Sequence, residues 1–446
     1  MAGAIALMPA AAAACALPPS IVMTLPTGYY MAGAAAAVAL TALVAAVAGR
    51  LPAMRAVTIL ERPVLLPVAL SSYLSFLCFL MLVGVGFWGP RDPMHNLMTL
   101  VFWTVIWVAL PLASILLGNL WRSVNPWTGP VRVARTLIRR TGSIGLSRLG
   151  HVPAVVGLAG FSWFQIVSMS PEDPLVLARV ALAYWLVIFV LAVAEGEDWL
   201  EKGEFLTVYF GFLARIAPFW LRIEGRRARL CAGWPGTQVL TMPPLTASQI
   251  AFVTLALAAL TFDGLRETFW WLALVGENPL EFTGRSAVMG VNTAGLIGAW
   301  ALTATTILGA LWLGRRISGA RLEAGPVMLS FLAIAAGYHG SHYLLMLLTA
   351  GQYTVAALND PLFRGDALLG LPPFWISYGF LTDRSTMILI WNLQFTAILG
   401  AHLLAVLLAL HLSDRSARGI AHLPLTALMV GYTVLGLWLL ASPSGA

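Results

Sequence analysis

The residues able to do chemistry at membrane depth gather in the second half of the chain. The segment Thr261-Phe262-Asp263-Gly264-Leu265-Arg266-Glu267-Thr268 sets Asp263 and Glu267 four residues apart, on one face of a helix, with Arg266 near enough to pair with either. Such a trio is a local ion pair where a span meets water, or an acid/base couple lining an outward cavity. Further on, Tyr338-His339-Gly340-Ser341-His342-Tyr343 places two imidazoles three residues apart, about 60° around a helix. His339 and His342 at that spacing suit one metal or one cavity. They equally suit interhelical hydrogen bonds, with Gly340 and Ser341 allowing close helix approach. Asn292, Asn392, Gln394 and His402 add polar groups to neighbouring apolar runs and are candidates for lining the same cavity. His402 and His411, nine apart, fall on opposite faces and share no site. A b-type haem would need two facing imidazoles, and no spacing here demands it. Each charged or imidazole group at this depth costs at least a few kcal/mol, roughly, so each asks for a partner or a purpose.

The elements that must position these groups follow from composition. Of 446 residues, 59% are hydrophobic and 10% charged, against roughly 25% charged in a soluble domain. A soluble globular enzyme is excluded, as are disorder, collagen and coiled coil. Apolar runs bounded by charges, Pro or Gly predict about ten transmembrane helices, near 27–49, 65–88, 95–118, 152–169, 175–194, 249–275, 288–314, 324–350, 386–412 and 424–441. The expected fold is therefore an all-α polytopic bundle, with spans 1–5 over 27–194, a cytoplasmic amphipathic segment over 195–248, and spans 6–10 over 249–441. Residues 1–20 form either a cleaved signal peptide ending near Ala14-Cys15-Ala16 or an eleventh span, for the small-residue site is present and the basic n-region is not.

Charge orients the bundle. The excess of +7 comes from arginines and the single Lys202, and 20 of the 26 basic residues fall in odd-numbered loops. Those loops are cytoplasmic by the positive-inside rule, and both ends of the bundle face the other side. This is a topology signal and not a nucleic-acid footprint. Among the even loops, the polar stretch from Gly351 to Ser385 is long enough to suggest function. The acidic run Glu195, Glu197, Asp198, Glu201, Glu204, followed by basic residues, predicts a pair of solvated amphipathic helices at the headgroup boundary, and RVARTLIRR at 132–140 has the same character. Asn119, Arg122, Asn125 and Trp127 suit an interface anchor. Three distant cysteines, Cys15, Cys78 and Cys231, give no disulfide framework. Phosphate-loop, nucleophile-elbow, HExxH and voltage-sensor signatures are absent.

Several segments resemble a family of bacterial polytopic proteins known as fenitrothion hydrolase. They are GNLWRSVNPW, AEGEDWLEKGEFLTVYFGFLARIAP, FDGLRETFWW, YHGSHYLLMLLTAGQ followed by NDPLFRG, and LPLTALMVGYTVLGLWLLASP, running from residue 118 almost to the C-terminus. The resemblance implies hydrolysis of organophosphorus triesters with loss of the aryl group from a thiophosphate, in or on the bacterial inner membrane, and a homologous partner subunit. Such hydrolysis needs an activated water, an electrophilic stabiliser and an apolar pocket, and a divalent metal commonly supplies the first two. His339 and His342 as ligands, Asp263 or Glu267 as ligand or base and Arg266 as stabiliser would meet that list, and the aromatic run Phe269-Trp270-Trp271 lies beside it. The competing classes are a proton-coupled carrier of a small solute, with Asp263 and the histidines as relay, and a non-catalytic membrane assembly subunit.

Overall fold

The computed structural model describes residues 27–47, 51–63, 68–225, 227–281, 284–319, 322–372, 375–413 and 419–442. The expected signal peptide or extra span at 1–20, with Cys15, lies outside the described residues, as do Arg50, Arg226, Arg321, Arg415 and Arg418.

Long apolar runs leave the backbone no water to bond, so the chain satisfies it internally as helices. The principal ones are α1 (Thr27–Val47), α2 (Val68–Trp88), α3 (Leu97–Leu117), α4 (Thr128–Leu137), α5 (Val152–Ile166), α6 (Pro174–Glu195), α7 (Phe205–Leu213), α8 (Ala247–Arg266), α9 (Phe269–Leu274), α10 (Arg285–Ser318), α11 (Phe331–Asn359), α12 (Arg384–His411) and α13 (Leu423–Ala441). Among the described residues, eight are long and apolar enough to cross a membrane: α2, α3, α6, α8, α10, α11, α12 and α13. The expected spans near 27–49 and 152–169 are met by shorter apolar helices, α1 and α5. Leu302, Trp312, Leu389 and Val190 stand more than half exposed on their helices, a surface that only lipid or a partner covers at low cost. The chain is thus a helical bundle suited to a bilayer.

Local signals start the helices where the sequence places them. Asp173, ending the PEDP turn, caps α6 by accepting from the amides of Leu175 and Val176. Thr246 and Gln249 form a capping box at the start of α8. Inside α3 the residues Val101–Ala109 are wound as a π-helix. Pro111 has no N–H to offer the carbonyl four residues back, which favours the wider winding and turns Trp103 and Trp107 inward.

Two features depart from the expected all-α bundle. Over 195–248 the pair of solvated amphipathic helices is replaced by α7, a short helix buried against α5 and α11, and by a β-hairpin. Strands β2 (Phe219–Glu224) and β3 (Arg227–Gly233) pair antiparallel, and β1 (Ala56–Pro63), between α1 and α2, adds to the other side of β3. The acidic run is also less solvated than expected. Glu204 is fully buried, where it caps α7 through the amides of Leu206 and Thr207 and accepts from the Tyr184 hydroxyl at 2.6 Å. Glu195 takes the amides of Ile144, Gly145, Leu146 and Ser147, fastening the loop after α4. Helix α4 keeps the amphipathic character expected of 132–140, with Arg132 paired to Glu197.

Candidate functional site

A cavity of about 250 Å³ opens among the ends of α8, α10 and α13 and the middle of α11. Its polar wall begins with Asp263, whose side chain is only 8% exposed. Oδ2 accepts from His342 Nε2 at 3.1 Å, from the Tyr343 hydroxyl at 3.1 Å and from Gln165 Nε2 at 3.3 Å, while Oδ1 accepts from Arg266 Nε at 3.2 Å. Four donors on one carboxylate offset the desolvation that an isolated buried charge would suffer. Arg266 also donates to Glu267 Oε1 at 2.7 Å, so the trio expected on one helix face forms a single ion-paired chain at the cavity wall.

The Asp263 carboxylate takes Nε2–H of His342, so that a neutral imidazole in this tautomer carries its lone pair on Nδ1. That nitrogen faces Gly264, where a Cβ would lie 3.8 Å from Nδ1 and 3.7 Å from the Tyr338 hydroxyl. Glycine thus keeps the imidazole open to the cavity, and His342 retains about a fifth of its side-chain exposure. An aspartate that orients a histidine whose other nitrogen meets a cavity is the arrangement of a general base. Opposite stands Arg285, at the start of α10, whose Nη1 donates to the carbonyls of Gln165 and Ser168. Two guanidinium groups therefore line the same cavity as the imidazole. Trp103 and Trp107 of the π-wound segment supply apolar wall.

The other candidate residues divide. Gln394 lines the cavity and donates to the Ser341 carbonyl at 2.8 Å. Asn292 is buried away from it, accepting from Trp271 Nε1 at 3.1 Å. Asn392 points out from the bundle. His402 is buried too, with Nδ1 donating to the Ile398 carbonyl at 2.8 Å, in a separate small void. His339 does not join His342: its Nδ1 meets the Tyr209 hydroxyl at 2.9 Å, and its ring is enclosed between Trp107 and Tyr343. The two histidines share a helix but take different partners, so the expected pair of ligands is not assembled. Among the described residues no group of three His, Cys, Asp or Glu side chains could hold a metal ion. His342 and Asp263 face one another. Of the aromatic run beside the site, Trp271 is taken up by Phe262 and Asn292, and Trp270 is exposed beside Trp438.

Sequence reasoning missed Gln165, Tyr343 and Arg285. Gln165 was the one strongly polar side chain inside the apolar run 152–169, and Tyr343 adjoins His342, so both carried a signal. Arg285 read as a loop charge, and only the fold turns it into the cavity.

The fold and site define a class: a membrane-suited helical bundle with a polar cavity built on a buried carboxylate, an imidazole and two guanidinium groups. No family model, curated protein or solved structure matches the chain.

Proposed function

We propose that the chain is a membrane-embedded hydrolase of organophosphorus triesters of the fenitrothion type, in which His342 acts as general base without a metal. The observation that carries this is the Asp263–His342 pair on the wall of a cavity that Arg266 and Arg285 also line. His342 Nδ1 takes a proton from water as the water oxygen bonds to phosphorus. The bond from phosphorus to the aryl oxygen breaks, and that proton, or one from solvent, goes to the departing aryl oxide. The products are a phosphorus diester acid and a phenol. Arg266 or Arg285 stabilises the charge that gathers on the phosphoryl or thiophosphoryl group, while Trp103 and Trp107 face the aryl ring. An apolar triester partitions into a bilayer, which suits a site reached among spans. The arginine distribution puts the cavity mouth on the non-cytoplasmic side of a bacterial inner membrane in this reading, with a homologous subunit as the expected partner.

The test is release of coloured nitrophenol from fenitrothion by purified protein in detergent. We expect turnover, and a loss on the order of 10²- to 10⁴-fold in His342→Gln and Asp263→Asn, the range for a removed general base or its orienting group. Turnover that persists in both variants, or that needs added metal after chelation, defeats the proposal.

One observation favours a proton-coupled carrier instead. The polar groups continue past the cavity, from Tyr343 against His339 to Tyr209, deeper than hydrolysis requires. Solute uptake into proteoliposomes driven by a pH gradient, with no turnover in detergent, would select that reading. The absence of both activities would select an assembly subunit.

A further inference from the structure

The three-stranded sheet is amphipathic in an unusual sense. Residues opposite one another across a ladder share a face. On one face lie Trp220, Cys231 and Thr58, then Arg222, Arg229 and Glu61, then Glu224 and Arg227. Trp220 and Cys231 are buried, and four of the five charged members form an ion-paired network: Glu61 accepts from Arg227 at 2.8 Å and Arg229 at 3.0 Å, and Glu224 from Arg229 at 2.7 Å. The opposite face is almost wholly apolar. It carries Phe219, Leu221 and Ile223 on β2, Ala228, Leu230 and Ala232 on β3, and Val57 and Leu60 on β1, with Arg62 at its far end. Val57, Leu221, Leu60 and Phe219 are 45 to 63% exposed. A sheet in water turns its apolar side inward; here that side is presented outward.

The position of the sheet sets the level at which that face lies. Gly118, immediately after α3, sits with φ +85° so close to the hairpin that a Cβ would lie 2.9 Å from Trp220 Cβ. The residues just before it, Leu116 and Leu117, are more than half exposed on the span. At the end of α12, His411 Nε2 donates to the Pro52 carbonyl at 3.1 Å, in the segment leading into β1. The sheet therefore stands at the level where two membrane-length apolar helices end, which in a bilayer is the headgroup layer. Around it Arg55, Arg62, Arg222, Arg227 and Arg229 outnumber Glu61 and Glu224. Apolar face and cationic rim together match an anionic leaflet, in which side chains enter the acyl boundary and arginines meet phosphates.

The geometry points to an anionic phospholipid surface as the ligand of this sheet, which lies flat on the leaflet with Phe219, Leu221, Leu60 and Val57 inserted and Arg62 at the phosphates. This is independent of what the cavity does.

Spin labels test it in the full chain. With Cys15, Cys78 and Cys231 replaced by Ser, a nitroxide is attached at Leu221→Cys or Leu60→Cys, and at Leu302→Cys and Arg222→Cys as lipid-facing and charged-face controls. The protein is placed in nanodiscs of phosphatidylcholine alone, or of equal parts phosphatidylcholine and phosphatidylglycerol. Collisions with oxygen should exceed those with a water-soluble nickel chelate at Leu221 and Leu60, giving a ratio severalfold above that at Arg222 and close to that at Leu302. The ratio should rise further in the anionic discs, and Arg62→Gln should reduce that rise. A nickel-accessible label at Leu221 would make the face aqueous and overturn the proposal. Spin–spin broadening that disappears on dilution with unlabelled chain would assign the face to a second copy and overturn it too. An equal ratio in neutral and anionic discs would remove the anionic headgroup from it.

Discussion

Gly264 is the residue on which access to His342 turns. A methyl group there meets the imidazole and the Tyr338 hydroxyl at ordinary contact distance, so Gly264→Ala fits without moving backbone. Alanine also favours the helix. Its expected effect is therefore on chemistry alone: thermal stability unchanged or higher, and kcat/KM for the triester down by about tenfold or more, because the water between Nδ1 and phosphorus loses its place. Equal kcat/KM in Gly264→Ala and the parent, by nitrophenol release, would mean that the reacting water is not at Nδ1. His339 gives the converse case. It is buried beside Tyr209, away from the cavity, so His339→Leu should lower the melting temperature while turnover of the folded fraction stays within about threefold, well short of the loss from removing a base. Comparing activity per folded molecule separates the two effects. At this scale the sequence showed the groups and not their partners. Spacing already put Arg266 within reach of both Asp263 and Glu267, since all three are close along one stretch of helix. Spacing alone could not tell that His342 turns to α8 and His339 to α7, because the neighbours of a helix face are set by the whole packing.

Between elements, the site depends on how closely α11 lies against α12. A Cβ at Gly337 would come within 2.3 Å of Ala401 Cβ and 2.7 Å of the Ala397 carbonyl, so only glycine permits the contact. Gly337→Val should separate the two helices at a cost of about 1–3 kcal/mol, the range for overpacking, and displace His342, five residues on. The checks are a lower midpoint on thermal unfolding and a parallel loss of turnover; an unchanged midpoint would mean that the helices are not in register at this point. The start of α12 carries a pH dependence. Asp383 accepts from the side chains of Ser385 and Thr386 and the Thr386 amide, and these bonds hold its carboxyl down at about 2. A carboxyl depressed in the folded state stabilises the cap above its unfolded value and ceases to as pH falls through its folded one. Amide protection of the first turn of α12, corrected for intrinsic exchange, should thus hold above about pH 4, the ordinary carboxyl value, and fall as pH approaches 2. Asp383→Asn, which keeps a capping oxygen, should remove the dependence; protection that still falls with pH in that variant would place its cause elsewhere. Helix starts of this kind, at Asp173, Thr246 and Asp383, put an N-cap residue before an apolar run, a signal that hydrophobicity alone does not register. The strands carried no comparable signal: 219–233 is short, rich in arginine and of mixed polarity, and its pairing with 56–63 joins segments far apart in the chain.

At the scale of the molecule, helix direction alternates along the chain, and that alternation makes two faces with different contents. Helix α3 runs from the cavity, lined by Thr99 and Trp103, to the sheet at Gly118. Helix α8 runs from the Gly325 contact at Leu245 to the cavity at Arg266. Helix α12 returns from Asp383 to Pro52, and α13 goes from His422, beside Ser413, to the cavity wall at Leu440 and Ser442. Periodicity makes the long apolar helices legible, since a span is encoded locally, and the arginines of each loop are what predicts its side. The short α7 escaped that reading because its apolar residues follow an acidic run and cross only part of the bundle. The sheet and the cavity therefore lie at opposite ends of α3, and a bilayer crossed by that helix would separate them. Single cysteines at Glu172, by the cavity mouth, and at Arg222, on the sheet, in an otherwise cysteine-free chain, make this testable in sealed vesicles of one orientation. A membrane-impermeant maleimide should label one position from outside and the other only after the vesicles are opened. In right-side-out vesicles the outside position should be Glu172, because the arginines concentrate at the sheet end and hold it inside. Labelling of both from one side would mean that α3 or α6 does not cross, and the cavity would then lie at the membrane surface rather than among spans.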